Sequence, residues 1–173
     1  DEAYEMFEKT PANIEVAFPM KEGVISRFND MQFLLQSLLK KGRHFSRGAE
    51  YVIAVPTDIT EVQKKAFFDL VVHSNARAKE VNIVERSIAD AVGLNLDVQN
   101  TKGVIIVNFG GSTIELSVLV GGGLVFNKLL KIGGETFDQA IINMIRNTHD
   151  FLIGMHTAEN LRKNFGVLTS DAD

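Results

Sequence analysis

Val104-Ile-Ile-Val-Asn-Phe-Gly-Gly-Ser-Thr-Ile-Glu-Leu-Ser-Val-Leu-Val120 is the stretch on which the reading of this chain turns. Val104 to Val107 is a short continuous apolar run of the kind that forms a buried strand. Ile114, Leu116, Val118 and Val120 then alternate with Glu115, Ser117 and Leu119, close to the period of two of a strand. Between the two runs stands Asn108-Phe-Gly-Gly-Ser-Thr113. Glycines between strands expose consecutive backbone N–H groups that can cradle a phosphate, and the hydroxyls of Ser112 and Thr113 add donors. The same glycines equally suit a hairpin turn that needs positive φ, so the residues alone leave both readings open.

Working outward, Gly121-Gly-Gly123 offers a second tight turn, and Leu124 to Ile132 returns as a strand. Residues 103–132 therefore predict a three-strand antiparallel meander. A helix follows, with Phe137, Ala140, Ile141, Met144 and Ile145 on one face, and a last short helix spans roughly Thr157 to Phe165. Upstream, Met31, Leu34, Leu35, Leu38 and Leu39 mark an amphipathic helix with Asp30 as its N-cap. Tyr51 to Val55, stopped by Pro56, reads as a strand buried on both faces. Thr60-Glu-Val-Gln63 has the form of a capping box, opening a helix whose inner face carries Val62, Ala66, Phe67, Leu70 and Val71. Val81 to Val84 is a second short strand, and Ser87 to Leu94 a helix. Strand, helix, strand, helix is the grammar of a parallel sheet with helical crossovers. The grammar changes at the polar Asp97-Val-Gln-Asn-Thr-Lys102, which places a boundary near residue 100.

Composition bounds what such a chain can do. Its 173 residues allow one compact domain or two small ones. A mean hydropathy of +0.05 with 23% charged residues is that of an ordinary globular protein. Net charge −4 and a pI near 5.6 argue against nucleic acid as a partner. Without cysteine, disulfides, thiolate metal sites and cysteine nucleophiles are excluded. No apolar run approaches the ~20 residues of a spanning helix, and no charged-then-apolar leader opens the sequence, so a cytoplasmic protein is expected. His44, His73, His149 and His156 lack metal-ligand spacing, and Arg77 and Arg86 read as solvated helix-end charges.

The glycine loop resembles the second phosphate loop of the actin-like ATPases, specifically the bacterial MreB and MreB-like cell-shape proteins. Four further segments carry the resemblance in the same order. Pro11-Ala-Asn-Ile14 with Pro19-Met-Lys-Glu-Gly-Val-Ile25 resembles the family's "PGNI…RPMKDGVI". Val55-Pro56 through Thr60-Glu-Val-Gln-Lys-Lys-Ala66 resembles "VP…TxVERRA". Ile132-Gly-Gly-Glu-Thr-Phe-Asp138 with Ala140-Ile-Ile142 resembles "IGGDxFDEAII", and Ile153-Gly154 with Thr157-Ala-Glu159 resembles "IG…TAE".

The resemblance implies an α/β, actin-like (ribonuclease H-like) fold in two partial lobes. Residues 1–100 would be the later part of domain I, and 101–173 the early part of domain II. The family's first phosphate loop would lie before Asp1 and its adenosine glycine motif beyond Asp173, so a fragment or a short relative is expected. It implies ATP and Mg2+ as cofactors, with Asn108, Gly110, Gly111, Ser112, Thr113, Glu159, Arg162 and Asn164 facing the nucleotide. Several of these depart from the family pattern. Asn108 stands where an aspartate holds the magnesium shell, so no direct metal ligand is expected. Gln63 aligns with the acid thought to activate water. It can orient water or serve as the N3 member of the capping box. Arg162 and Asn164 replace a lysine and a glutamate, and Arg86-Ser87 replaces a "Glu-Pro". These changes leave ATP hydrolysis undecided.

Lys40, Lys41, Arg43, Phe45 and Arg47 sit where the family carries a loop touching the inner membrane face; a solvated loop after a helix explains the same cations. The implied function is that of a nucleotide-dependent cytoskeletal filament subunit that self-associates and organises cell-wall synthesis with cell-shape proteins. The alternative is an actin-fold adaptor without efficient hydrolysis.

Overall fold

The computed structural model describes residues 2–41, 48–74, 76–100 and 102–166. The elements follow in the order α1 (Glu2–Met6), β1 (Met20–Lys21), β2 (Val24–Ile25), α2 (Phe28–Lys41), β3 (Ala49–Val55), α3 (Glu61–Val72) and β4 (Ala78–Glu85). Then come α4 (Arg86–Gly93), β5 (Val104–Phe109), β6 (Ile114–Val120), β7 (Gly123–Leu130), α5 (Gly134–His149) and α6 (Met155–Phe165). The chain forms two compact units. One comprises Asp1–Val16, Phe109–Thr113 and Lys131–Asp173; the other comprises Ala17–Asn108 and Ile114–Leu130. β6 and β7 fall in the same unit as residues 17–108.

In the larger unit, β3 and β4 pair in parallel, Glu50 beside Glu80 through Val55 beside Glu85. The connecting α3 opens with the expected capping box. Thr60 Oγ1 accepts from Gln63 N–H at 3.2 Å, and Gln63 Oε1 accepts from Thr60 N–H at 2.9 Å. Phe67, Leu70 and Val71 of α3 are buried, whereas Val62, at the start of the helix, is 79% exposed. β3 alternates along its length and buries only Val55 fully, because its helices cover one face. It is not the two-sided core strand that its apolar run suggests. The α2 helix begins at Phe28, two residues before Asp30, with the Arg27 carbonyl accepting from Met31 N–H. Asp30 instead pairs with Arg27 in the first turn, and no residue of α2 is fully buried.

The β5-β6-β7 sheet follows the expected order, and β6 and β7 are antiparallel around the Gly121-Gly122 turn. Both glycines have positive φ, 54° and 86°, the requirement of a two-residue hairpin loop whose twist matches its strands. β6 is covered on both sides: Ile114 is buried and Leu116 and Val118 are half-buried on one, Glu115, Ser117 and Leu119 are 1–2% exposed on the other, and Val120 at its end is exposed. Leu119 packs with Ala91 and Ile106, flanked by Ile88, Leu96, Val98, Val104 and Leu124. Glu115 lies inside because polar partners meet it there. Its Oε1 accepts from Thr57 N–H at 3.0 Å and from Asn127 Nδ2 at 2.9 Å.

The smaller unit contains α1, the Phe109–Thr113 loop, α5 and α6, with α5 packed on α6. Asp138 and Ile142 are the buried residues of α5, while Phe137 and Met144 are exposed. The inner face is rotated by about one residue, some 100°, from the apolar stripe.

Candidate functional site

The Phe109–Thr113 loop takes its shape from one hydrogen bond, Gly110 N–H to the Thr113 carbonyl at 2.8 Å. A Cβ on Gly110 would stand 2.9 Å from that oxygen, so the turn requires glycine. The loop's own carbonyls are tied to the start of α5. Gly134 N–H donates to the Gly110 carbonyl at 3.2 Å, and Glu135 N–H to the Gly111 carbonyl at 2.8 Å. Gly133, the N-cap of α5, lies flat against the loop: a Cβ there would meet Gly111 O at 2.5 Å and Gly110 O at 2.8 Å. Its φ of −171° is extended backbone, so close approach and not dihedral freedom demands glycine here.

Gly110 and Gly111 are exposed, Ser112 is half-buried and Thr113 is buried. Among the described residues, the N–H groups of Gly111 and Ser112 have no intramolecular partner. Exposed amides at a strand-to-strand turn, beside a helix N-terminus, are groups suited to an anion.

Helix α6 adds a cation to this arrangement. Arg162 forks onto Asp138 of α5, Nε to Oδ1 at 2.7 Å and Nη2 to Oδ2 at 3.2 Å. That pairing raises the guanidinium's pKa further and fixes its plane. A Cβ on Gly134 would lie 3.1 Å from Arg162 Nη2, so the guanidinium edges the same glycine pair that holds the loop. One turn earlier, Glu159 is gripped by Lys163 Nζ at 2.7 Å and by Tyr4 Oη at 2.5 Å. The ammonium of Lys163, then the Tyr4 hydroxyl, hold its carboxyl below the ordinary range. Asn164 turns away and donates to the Asn160 carbonyl of its own helix.

Two of the sequence-predicted residues lie in the larger unit and are engaged there. Asn108 Nδ2 donates to Asp90 Oδ2 of α4 at 2.7 Å. The Gln63 side-chain oxygen accepts from the Thr60 backbone and from its hydroxyl, which is the helix-capping role. Arg86 is not a solvated charge: its side chain is 24% exposed and its Nη1 lies 3.8 Å from Oε2 of the buried Glu115. Lys40 and Lys41 stand in the last turn of α2, and Arg43, Phe45 and Arg47 fall outside the described residues. No three His, Asp or Glu side chains gather to hold a metal among the described residues. No described helix is long and apolar enough to cross a membrane.

Sequence reasoning gives no role to Gly133, Gly134 and Asp138, although a Gly-Gly pair opening a helix is a visible signal of close backbone approach. Tyr4 and Asp90 carry no local signal, since their partners lie on other elements.

The family model for the MreB/Mbl protein matches residues 1–173. The chain belongs to the MreB/Mbl family. As a family member it is 36% identical over 168 residues to the cell shape-determining protein MreB of Escherichia coli K12, covering 95% of this chain and 48% of that protein. It is 31% identical to the cell shape-determining protein Mbl of Bacillus subtilis 168, over 99% of this chain and 52% of that one. This MreB/Mbl chain thus spans about half the length of the curated relatives it matches. Among solved structures it resembles MreB5 of Spiroplasma citri bound to ADP, with TM-score 0.90, 28% identity, and coverage of 99% of this chain and 51% of that one. A MamK double helical filament superposes with TM-score 0.77 at 21% identity, over 95% of this chain and 50% of that one, a likeness of fold. The fold is actin-like.

Proposed function

We propose that this chain supplies part of the nucleotide site and part of the filament body of a bacterial actin-like cell-shape protein. The observation that carries the reading is the Gly110–Thr113 loop, pinned by its carbonyls to α5 with the Gly111 and Ser112 amides left for a ligand. In this role those amides and the Ser112 hydroxyl hold nucleotide phosphates, and Arg162 and Glu159 of α6 complete the same side. Relatives crystallised with ADP and with AMPPNP support the nucleotide, and the MamK filament supports self-association.

In this reading residues 1–100 correspond to the later part of domain I and 101–173 to the early part of domain II. Magnesium would stay on the nucleotide's phosphates, because Asn108 offers a neutral amide already donating to Asp90. The protein would work in the cytoplasm at the inner face of the membrane, where Lys40 and Lys41 favour an anionic surface. Its partners there would be cell-shape and wall-synthesis proteins.

Calorimetry of ADP and ATP binding to the full-length protein tests the reading, with Gly111→Val as the variant that blocks backbone approach. Binding lost in the variant supports it; equal affinity in parent and variant refutes it. A second reading, a filament-associated adaptor that hydrolyses poorly, is favoured by the engagement of Gln63 in a helix cap and of Asn108 with Asp90. Phosphate release under saturating ATP separates the two.

A further inference from the structure

Helix α6 has no cap of its own. Gly154 is its N-cap residue and brings no side chain to the exposed N–H groups of the first turn. The acceptor comes from 147 residues away: Glu8 Oε2 takes the N–H of Met155 at 2.9 Å. A Cβ on Gly154 would collide with that same Glu8 oxygen, so the glycine makes room for the remote carboxylate. Glu8 itself is held at φ 64°, in the left-handed region, which is unfavourable for a non-glycine residue and persists only where surroundings over-determine it.

A second contact lies one turn further along. Tyr4 sets its ring edge-on to His156, centroids 5.6 Å apart at 87°, and donates its hydroxyl to Glu159 Oε2. Since Lys163 occupies Glu159 Oε1, both carboxylate oxygens are held, one from within α6 and one from α1. Asp138 of α5 grips the same helix through Arg162, the residue before Lys163.

We propose that Tyr4 and Glu8 are positioning residues of the nucleotide site, a two-point clasp that seats α6 and fixes the orientation of Glu159. The proposal rests on the reading that Glu159 faces the nucleotide. The clasp removes rotamer freedom from Glu159 before a ligand arrives, which is the general advantage of a preorganised site. It also gives Glu159 a titration that depends on the tyrosine hydroxyl. The charged groups acting around this pair are Lys163 and Arg162 of α6 on Glu159, and Asp138 and Glu135 of α5 on Tyr4, whose pKa is raised chiefly by its bond to Glu159.

The test uses the full-length protein with Tyr4→Phe, Glu8→Ala and Glu8→Gln. Two quantities are read: the titration of the Glu159 side-chain carboxyl by carbon NMR without nucleotide, and ADP affinity by calorimetry. Tyr4→Phe should move the Glu159 titration upward and weaken ADP roughly 10-fold, the low end for a hydrogen bond to a charged group. Glu8→Ala should weaken ADP by a similar factor, and Glu8→Gln, which keeps a carbonyl oxygen at the Met155 N–H, should restore parental affinity. If the parent binds ADP and Tyr4→Phe binds it equally well, the clasp is overturned while the nucleotide reading stands. A parent that binds no ADP overturns that reading and the proposal with it.

Discussion

Gly133→Ala should destabilise the protein, although Gly133 needs no glycine dihedral and lies at a helix cap. The added Cβ would meet Gly111 O at 2.5 Å, Gly111 C at 2.7 Å and Gly110 O at 2.8 Å. All three are backbone atoms, so no flexible side chain can move aside. The loop must separate from α5, stretching the Gly134-to-Gly110 and Glu135-to-Gly111 bonds. Two hydrogen bonds at about 0.5–1.5 kcal/mol each, with about 1–3 kcal/mol for overpacking, give a loss of about 2–6 kcal/mol. Reduced freedom of the unfolded chain returns only about 0.4–1 kcal/mol. Gly111→Ala is the control, because its Cβ meets only Glu135 Oε1 at an ordinary 3.8 Å. It should stay within about 0.5 kcal/mol of the parent. Urea unfolding followed by circular dichroism measures both. Equal midpoints for Gly133→Ala and Gly111→Ala would refute the argument that the loop is seated on the α5 N-terminus.

Three further outcomes are expected. Thr60→Ala should cost about 0.5–2 kcal/mol in chemical denaturation, while Gln63→Glu, which keeps the capping box, should be close to neutral; a large loss in Gln63→Glu would mean that the amide does more than cap α3. Asn108→Asp should destabilise by setting a second carboxylate against Asp90, and adding Asp90→Asn should restore the parent's melting temperature; no rescue in the double variant would show that the 2.7 Å contact is not the cause. Because Lys163 and Tyr4 depress the Glu159 pKa in the folded state, its contribution to stability is present above the unfolded carboxylate value and is lost as pH falls through the folded one. Glu159→Gln should therefore flatten the acid limb of a stability-against-pH curve, and an unchanged limb would contradict the clamp.

Features written within a few residues of one another are legible in the amino-acid sequence itself. The Thr60–Gln63 capping box spans one helical turn, and its two bonds form wherever that turn forms. Gly121-Gly122 carries its own positive φ values, and the parallel pairing of β3 with β4 follows from a crossover helix of ordinary length. The glycine loop at residues 110–111 is equally visible, and its collinear companions place the chain in the MreB/Mbl family.

Tertiary structure alone decided which face each element buries. β6 reads as apolar at Ile114, Leu116, Val118 and Val120, and Ile114 is indeed buried, yet Glu115 and Ser117 on the opposite side are inside as well, because Thr57, Asn127 and Arg86 arrive from elsewhere in the fold to meet them. A period-two pattern reports alternation and is silent on which side is covered when the buried side can be hydrogen-bonded. The contacts that set α6, Glu8 to Met155 and Tyr4 to Glu159, join residues 147 and 155 positions apart. Nothing local in the sequence selects those partners. They are chosen by the packing that brings residues 2–16 and 131–166 together in one compact unit, and that packing is a property of the whole fold.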